Sequence, residues 1–341
     1  MRRASLWMAI AVSLCFMASA QWSAQGAPPR GRMPARAGKR LGGGMPRRGG
    51  IPAQGFVQRR DNVTRKINPS LILSGVSHAA NGTALRNRCS GTIPLRGIQS
   101  GSEVTGALLY WTFMDDKTIG AATNTALFNG NLIKGAKVAD NPDLCWASAG
   151  THSYRADVAD FIAPGNPAQD YVFTASNCVN SSGENPWLTE SDPGTVLQEG
   201  AALVVFYKNR FTVHNRTFVY DALSGTAVAA ADTSSTIQLS HPNIDGSGLL
   251  TLVGADGQTG FSFNDEGSHE TTTLNGDLIA GPGGIFPNSD WDGMTGWPMP
   301  QLWDVHSYQV DNLSGTSSVL TYFSPDDCFA PVTLIIEPQA F

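Results

Sequence analysis

The apolar positions of the chain form short runs that are separated by turn-forming residues. One unbroken apolar run covers residues 201–207, and a related run, with the sequence PVTLIIE, covers residues 331–337. Both runs are too short to span a membrane and too rich in β-branched residues to favour a helix. We therefore predict that each run forms a strand that is buried on both faces, at the centre of a sheet.

The rest of residues 67–341 shows the same alternation of strands and turns, without helical periodicity. β-Branched and aromatic runs alternate with Gly, Asn, Asp, Pro and Ser, which is typical of strands joined by turns. Further strands are predicted over residues 104–114, 126–128, 171–175, 217–220, 236–239, 249–253 and 318–323. The pattern predicts an all-β fold, and its length favours two tandem β-sandwich, jelly-roll-like lobes over residues 67–222 and 223–341.

Short matching segments indicate that the two lobes are copies of one unit. Four segments of the first lobe recur in the same order in the second: 127–133 with 273–279, 152–157 with 306–311, 171–178 with 322–328, and 201–207 with 331–337. The first pair contains Asn-Gly, which supplies the positive φ angles of a tight hairpin. Four matches in order predict an internal repeat, and the alternative is chance similarity among β-rich segments.

Some of these segments also resemble known families. The succession of an Asn-Gly hairpin, a strand ending at Asp157-Val158, a turn and a β-branched strand resembles the galactose-binding-like jelly-roll family. The segments VTGALLYW, at residues 104–111, and GAALVVFY, at residues 200–207, resemble an uncharacterised family of secreted bacterial and archaeal surface proteins. These resemblances imply β-sandwich lobes and at most a sugar site, and neither brings a catalytic motif to this chain.

The first 20 residues have the pattern of a secretory signal peptide. Two arginines precede an apolar core, and Ala18-Ser19-Ala20 forms an A-x-A cleavage site. We predict cleavage after Ala20, and the alternative is an uncleaved anchor. The mature chain has no second long apolar segment, so a secreted or cell-surface protein without a transmembrane segment is expected.

Residues 21–66 form a basic arm that is rich in Gly, Pro, Ala and Arg. The arm carries 11 basic residues and 1 acidic residue, a net charge of +10, whereas residues 67–341 carry 10 basic and 27 acidic residues, a net charge of −17. Its few apolar side chains cannot offset the entropy of ordering, so we predict disorder. The arm is either a solvated tether or a contact for an anionic polymer or membrane surface. Specific nucleic-acid recognition is not expected, because aromatic residues are not interleaved with the basic ones.

Four cysteines follow the predicted signal peptide, namely Cys89, Cys145, Cys178 and Cys328. An even number in an exported chain predicts two disulfides. The sequence does not choose among the three connectivities. We favour Cys145–Cys178 within the first lobe and Cys89–Cys328 across most of the folded part, because long closures stabilise most in the chain-entropy model. No Cys-x-x-Cys spacing favours a metal site instead.

Motifs that carry catalytic chemistry are missing from the sequence. It contains no HExxH, no G-x-S-x-G and no phosphate-binding loop. His152 and His306 recur at matching positions of the two lobes, which favours a structural role over an asymmetric catalytic one. A secreted hydrolase is therefore the least favoured class of function.

The densest polar and aromatic stretch, residues 264–305, has no counterpart in the first lobe. Asp290 and Asp292 are candidate calcium ligands, because calcium prefers oxygen donors. Trp291, Trp297 and Trp303 are candidate ligand-binding residues, because an indole ring can stack on a sugar or anchor a partner. The alternative is that the tryptophans fill the interface between the lobes and the carboxylates are solvated.

Taken together, these patterns favour a non-catalytic structural or adhesion protein that is secreted or held at the cell surface. The second hypothesis is a carbohydrate- or calcium-binding module, with calcium as the one cofactor to consider. The expected partner is a surface glycan or a matrix component.

Overall fold

The structure is a computed structural model. It describes residues 64–86, 88–115, 124–142, 149–176, 178, 196–228, 233–257, 270–285, 302–325 and 328–339. The predicted signal peptide and residues 21–63 of the predicted arm lie outside this set. Across the part of the chain that is described, no helix is long and apolar enough to cross a membrane.

β-Strands are the dominant regular structure of the described residues, which confirms the predicted all-β sandwich fold. The strands are β1 (Thr64–Ile67), β2 (Leu71–Ser74), β3 (Ser77–Ala84), β4 (Ser90–Pro94), β5 (Glu103–Asp115), β6 (Thr125–Phe128), β7 (Asn131–Lys134), β8 (Ala136–Asn141), β9 (Gly150–Asp157), β10 (Asp170–Ala175), β11 (Leu197–Lys208), β12 (Arg216–Tyr220), β13 (Thr233–Ala255), β14 (Thr271–Leu274), β15 (Asp277–Ala280), β16 (Trp303–Ser324) and β17 (Ala330–Pro338). A single turn of 3-10 helix, Ala159–Phe161, follows β9.

The first lobe is a sandwich of two antiparallel sheets. A five-stranded sheet has the order β3-β11-β5-β9-β8, and a four-stranded sheet has the order β4-β10-β6-β7. The core between them includes Trp111, Phe128 and Phe173, each fully buried. The ring of Trp111 stacks on Tyr154 with 5.8 Å between ring centroids.

Strand β11 holds the apolar run that was predicted to be central, and the prediction is confirmed. It pairs with β3 on one side and with β5 on the other. Leu203 and Val205 face the core of the first lobe, whereas Val204 and Phe206 face the second lobe. The run has no polar positions because both faces of this strand are covered.

The second lobe is one long sheet of eight strands, in the order β15-β14-β16-β13-β17-β12-β2, with β1 paired in parallel to β13. Strands β13 and β16 have 23 and 22 residues and pair along most of their length. The two strands predicted at 236–239 and 249–253 are therefore parts of one strand. Turn-forming residues between the two segments had predicted a break between strands. The paired strands accommodate them through register shifts between Ser240 and Ile244 and between Gly246 and Gly248.

The second sheet takes strands from both sides of the predicted lobe boundary at residue 222. Strands β1, β2 and β12 precede that boundary and belong to this sheet. The ordered chain also begins earlier than predicted, because Thr64–Lys66, assigned to the disordered arm, form most of β1. The neighbouring Ile67 is only 6% exposed, and the guanidinium of Arg65 donates to the carbonyl of Ser224 at 2.6 Å. One buried apolar side chain and the pairing to β13 thus offset the ordering entropy of this segment.

An apolar interface joins the two lobes. It is formed by one face of the β3-β11-β5 sheet and by residues of the second sheet, with Tyr110, Val219 and Trp303 among its buried members. Gly82 and Gly200 leave space for the indole of Trp303, since a Cβ atom at Gly82 would lie 2.7 Å from its Nε1. The two glycines are therefore required by packing rather than by backbone conformation.

The hairpins of the predicted repeat have the same geometry in both lobes. Asn129 and Asn275 adopt positive φ angles of 48° and 52° at the tips of the β6–β7 and β14–β15 hairpins. The backbone N–H of Asn129 donates to the carbonyl of Val172 at 2.8 Å, and the N–H of Val172 donates to Asn129 Oδ1 at 2.8 Å. Asn275 and Val319 make the same two hydrogen bonds at the same distances.

A second set of equivalent contacts lies inside the sheets. In the first lobe the hydroxyls of Thr112 and Ser153 lie 2.9 Å apart, across β5 and β9. In the second lobe the hydroxyls of Thr251 and Ser307 lie 2.8 Å apart, across β13 and β16. The strand order β11-β5-β9 thus corresponds to β17-β13-β16, and the two lobes repeat one pairing scheme.

The disulfides differ from the pairing that we favoured. Cys89 is bonded to Cys178, with 5.7 Å between their Cα atoms. The favoured pairs Cys145–Cys178 and Cys89–Cys328 are therefore wrong. Cys89 precedes β4 and Cys178 follows β10, and these antiparallel neighbours bring the two residues to the same end of one sheet. Cys328 is also disulfide-bonded, and Cys145 lies outside the described residues.

Candidate functional site

Of the residues predicted to bind a ligand, the structure describes only Trp303. Its side chain is fully buried between the lobes, which is the alternative role left open for the tryptophans. The other candidate residues lie outside the described residues, so their roles stay predictions; they are Trp291 and Trp297 for ligand binding and Asp290 and Asp292 for calcium. Among the residues that the structure does describe, no three His, Cys, Asp or Glu side chains are grouped to hold a metal ion.

The repeated histidines both lie against carboxylates. His152 is hydrogen-bonded to Asp140 across β8 and β9, and His306 Nε2 lies 3.2 Å from Asp304 Oδ1 on the same strand. Burial by itself raises the pKa of the Asp140 carboxyl, but hydrogen bonds from His152 and Lys137 outweigh burial and leave that pKa below its ordinary value. The recurrence of a His–carboxylate pair in each lobe agrees with a structural use of both histidines.

Asp221 ties the lobes together from the second sheet. Its carboxylate accepts hydrogen bonds from Tyr110 at 2.9 Å, from Ser70 at 2.8 Å and from Thr333 at 3.0 Å, and it pairs with Arg155. Tyr110 and Arg155 belong to the first lobe. Burial and the nearby Asp221 carboxylate raise the pKa of the Tyr110 hydroxyl well above its ordinary value, so this group stays a donor at neutral pH.

His78 makes the reciprocal tie from the first lobe. Its Nδ1 lies 2.6 Å from Glu337 Oε2, and its Nε2 lies 2.8 Å from Thr251 Oγ1, which in turn contacts the hydroxyl of Ser307. The order acid, imidazole, hydroxyl resembles a catalytic relay. However, His78, Glu337 and Thr251 are at most 4% exposed. The equivalent pair of the first lobe, Thr112 and Ser153, also lies on the side of its sheet that faces the interface. This arrangement favours a polar contact that holds the lobes together.

A third buried cluster crosses the interface at the other end of β3. The guanidinium of Arg86 lies 2.7 Å from a carboxylate oxygen of Glu199 and 3.6 Å from one of Asp256. All three side chains are at most 8% exposed. Buried charges of this kind are retained when they are paired, and this pair links the first lobe to the end of β13.

A feature that the sequence did not single out is the short loop between β11 and β12. We call residues 209–215, with the sequence NRFTVHN, the binding loop, after the role that is proposed for it below. Asn209 Oδ1 accepts from the N–H of Phe211 at 2.8 Å, and the N–H of Asn209 donates to Thr212 Oγ1 at 3.1 Å. Thr212 is 3% exposed, and its hydroxyl donates to the carbonyl of Gly75 at 2.8 Å. The centre of the loop is therefore fixed by its own side chains.

Both ends of the binding loop are tied to neighbouring segments. The side chain of Asn209 donates to Ser102 Oγ at 3.0 Å, ahead of β5. At the other end the N–H of Gly75 donates to the carbonyl of Asn215 at 2.8 Å, and the side chain of Asn215 donates to Glu337 at 2.8 Å. The loop backbone is thus held in one conformation by contacts with three other segments.

The binding loop directs two apolar side chains into solvent. Phe211 is 64% exposed and Val213 is 61% exposed, on either side of the buried Thr212. The guanidinium carbon of Arg210 lies 4.5 Å from the centroid of the Phe211 ring, within the range of a cation–π contact. The exposed apolar pair on an ordered backbone makes this loop a candidate interaction surface.

A groove lies beside the binding loop. Its volume is about 570 Å³, and its walls come from the β2–β3 turn, from Gly101 and Glu103, and from Lys208, Arg210 and Val213. A second groove of about 460 Å³, formed by residues 98–103 and 164–168, shares Gly101 and Glu103 with the first. The two grooves therefore lie side by side.

The binding loop and the two residues that flank it are a basic exception in an acidic part of the sequence. Three of the 10 basic residues in 67–341, namely Lys208, Arg210 and Arg216, fall within residues 208–216. Residues 217–341 contain 15 acidic residues and no Lys or Arg. No role was predicted for residues 208–215 from the sequence. The signal that was overlooked is Phe211 and Val213, two apolar residues that alternate with polar ones where no strand continues.

The sequence has no match among family models and none among curated proteins. Among solved structures, the chain is similar to PNGF-II in a structure of its P21 crystal form, with a TM-score of 0.29 and 10% sequence identity. The match covers 81% of this chain and 60% of that chain. A likeness of this size carries no argument about fold or function, so the function has to be argued from the chain itself.

Proposed function

We propose that the protein is a non-catalytic adhesion or surface-structural protein that is exported and recognises its partner through the binding loop. The observation that carries this proposal is the exposure of Phe211 and Val213 on a backbone that is fixed by buried contacts. A side chain that is exposed but already ordered loses little entropy on binding. Aromatic side chains presented in this way contribute strongly to recognition.

The proposal of a non-catalytic role is supported by the contacts that the buried polar groups make between the lobes. In the described part of the chain, Asp221 and His78 each bond to groups of the opposite lobe, and Arg86 pairs with two carboxylates. The one acid–imidazole–hydroxyl sequence is closed off between the lobes rather than open to a substrate. Export is supported by the signal-peptide pattern and by the Cys89–Cys178 disulfide, since disulfides form in oxidising compartments.

The proposal is tested by retention on surfaces coated with individual polysaccharides and matrix proteins. The parent is compared with the double variant Phe211→Ser/Val213→Ser and with the control Leu132→Ser, which removes an equally exposed apolar side chain (72% exposed) from the β6–β7 hairpin. We expect the parent to be retained on at least one surface, the double variant to lose about tenfold or more, and the control to match the parent.

Thermal unfolding serves as the control for folding. None of the three substituted side chains is buried, so the melting temperatures of both variants should agree with that of the parent. The proposal is overturned if the parent is retained on no surface. It is also overturned if the double variant and Leu132→Ser bind as well as the parent, because recognition would then lie elsewhere.

A further inference from the structure

The groove beside the binding loop has one cation that is available to a ligand. Lys208 is already paired with Glu103 at 2.8 Å. Arg210 is exposed, and among the residues that the structure describes no carboxylate lies within ion-pairing distance of it. From this arrangement we infer that the groove binds an anionic polysaccharide whose sugars carry carboxylates. This inference rests on the proposed function and names its ligand.

Arg210 is positioned to bind a carboxylate. Its guanidinium lies over the Phe211 ring, which restricts the side chain without using its N–H donors. The planar donor fork of arginine matches the two oxygens of a carboxylate, and such charge-assisted pairs are stronger than neutral hydrogen bonds. A lysine would provide the charge but not this geometry.

The remaining walls of the groove suit the other parts of a sugar unit. Val213 offers apolar surface for the C–H face of a ring, whereas Ser74, Asn209 and Glu103 offer polar groups for hydroxyls. Ligand sites commonly combine an apolar lining with a few polar groups that fix orientation.

The placement of the grooves favours a polymer over a single sugar. Two grooves, of about 570 and 460 Å³, adjoin each other and share Gly101 and Glu103 as lining residues, so a chain of several sugars can contact both. The net charge of −17 over residues 67–341 repels a polyanion at long range, but such repulsion is screened beyond about 8–10 Å at physiological salt. Binding therefore depends on the local cation and should weaken as salt rises.

The same side chains argue against a membrane as the partner. Two exposed apolar residues beside a basic group do occur on loops that enter membranes. Recognition of anionic lipid, however, generally takes clusters of about 4–8 basic residues. The groove has only Arg210 and the already paired Lys208 among its lining residues, which is fewer than such a cluster.

The inference is tested by titrating the full protein with polygalacturonate, a polymer of carboxylated sugars, in a calorimeter or by affinity electrophoresis. Fully methyl-esterified polygalacturonate is the matched neutral polymer. We expect binding to the acidic polymer, weaker binding to the ester, and a loss of affinity between 50 and 300 mM salt, which are conditions that we choose to span the range of screening. The variant Arg210→Gln should lose about fivefold or more, Arg210→Lys should recover part of the loss, and the control Lys134→Gln should bind like the parent.

Each other outcome overturns the inference in a distinguishable way. Equal binding to both polymers, independent of salt and of Arg210, contradicts an anionic ligand but leaves adhesion through the loop intact. Binding to vesicles of phosphatidylglycerol and phosphatidylcholine that is lost in Phe211→Ser/Val213→Ser, without binding to either polymer, assigns the loop to a membrane instead. No binding to polymers or vesicles contradicts the anionic polysaccharide. If the parent is also not retained on any coated surface, the proposed function fails as well.

Discussion

The two lobes share their internal contacts but differ in their surfaces. The Asn hairpins and the Thr–Ser pairs recur with hydrogen bonds within 0.1 Å of each other, at 2.8 Å for the hairpins and at 2.9 and 2.8 Å for the hydroxyl pairs. By contrast, residues 217–341, which build most of the second lobe, contain no Lys or Arg, whereas the loop that leads into them is basic. The comparison teaches that what repeats is what the strand pairing requires, and that the segment proposed for recognition lies outside the repeat.

The largest effect is expected at the interface that the two lobes share. Trp303→Ala removes a fully buried indole that packs against Gly82 and Gly200, so it should lower the free energy of unfolding by about 3–5 kcal/mol. Phe211→Ala removes a large ring from an exposed position and should change the free energy of unfolding by less than about 0.5 kcal/mol. Chemical denaturation measures both. Equal losses in the two variants would contradict the assignment of one aromatic to packing and the other to binding.

A smaller effect is expected from the disulfide of the first lobe. Replacing Cys89 and Cys178 together by Ser should cost about 2–4 kcal/mol, because the bond constrains the unfolded chain. Peptide mapping without reduction should recover Cys89 linked to Cys178. It should also recover Cys145 linked to Cys328, since Cys328 is bonded and Cys145 is the remaining cysteine after the predicted signal peptide. A Cys89–Cys328 peptide would refute the described pairing.

The repeat itself is tested by paired substitutions in the two hairpins. Asn129→Ala and Asn275→Ala each remove a side-chain acceptor and place alanine at a positive φ, so each should cost about 1–2 kcal/mol. The two losses should agree within about 0.5 kcal/mol. A large loss in one variant and none in the other would show that the hairpins are equivalent only in shape.

How far the sequence predicted this molecule depends on the kind of contact involved. The central strands were predictable because burial on both faces leaves an unbroken apolar run, as in β11 and β17. The Asn-Gly hairpins were predictable because that dipeptide supplies the required φ angles. The continuity of β13 was not predictable from the sequence, because bulges allow Pro and Gly to remain inside a strand. The disulfide pairing was not predictable either, because it depends on β4 and β10 being adjacent strands of one sheet.

The candidate site was the least predictable part. The long Trp- and Asp-rich stretch drew attention because of its composition, and Trp303 at its end is buried between the lobes. The binding loop is shorter and compositionally plain. Its distinguishing property is that Thr212 turns inward while its two neighbours turn outward, and this depends on a hydrogen bond to Gly75 from a distant turn.

The smallest effect concerns pH and belongs to the second lobe alone. Burial lowers the pKa of His241, although the hydrogen bond from its Nδ1 to the carbonyl of Pro242 acts in the opposite direction. Because the folded pKa is lowered, the unfolded chain binds the proton at a higher pH than the folded chain does. The contribution of His241 to the free energy of unfolding is therefore fully present above about pH 6.5, the ordinary pKa of histidine. It is lost as the pH falls below that value. Thermal melts from pH 7.5 to 5 should show a shallower decline for His241→Gln than for the parent. Parallel declines would contradict a contribution from His241.

The account's central claim is that the binding loop, rather than the repeated framework, makes contact with the ligand. The most direct measurement is hydrogen–deuterium exchange of the full protein with and without polygalacturonate. We predict slower exchange in peptides that cover residues 209–215 and 98–103, with no change in the hairpins at 127–133 and 273–279. Protection in either hairpin without protection of residues 209–215 would contradict the claim.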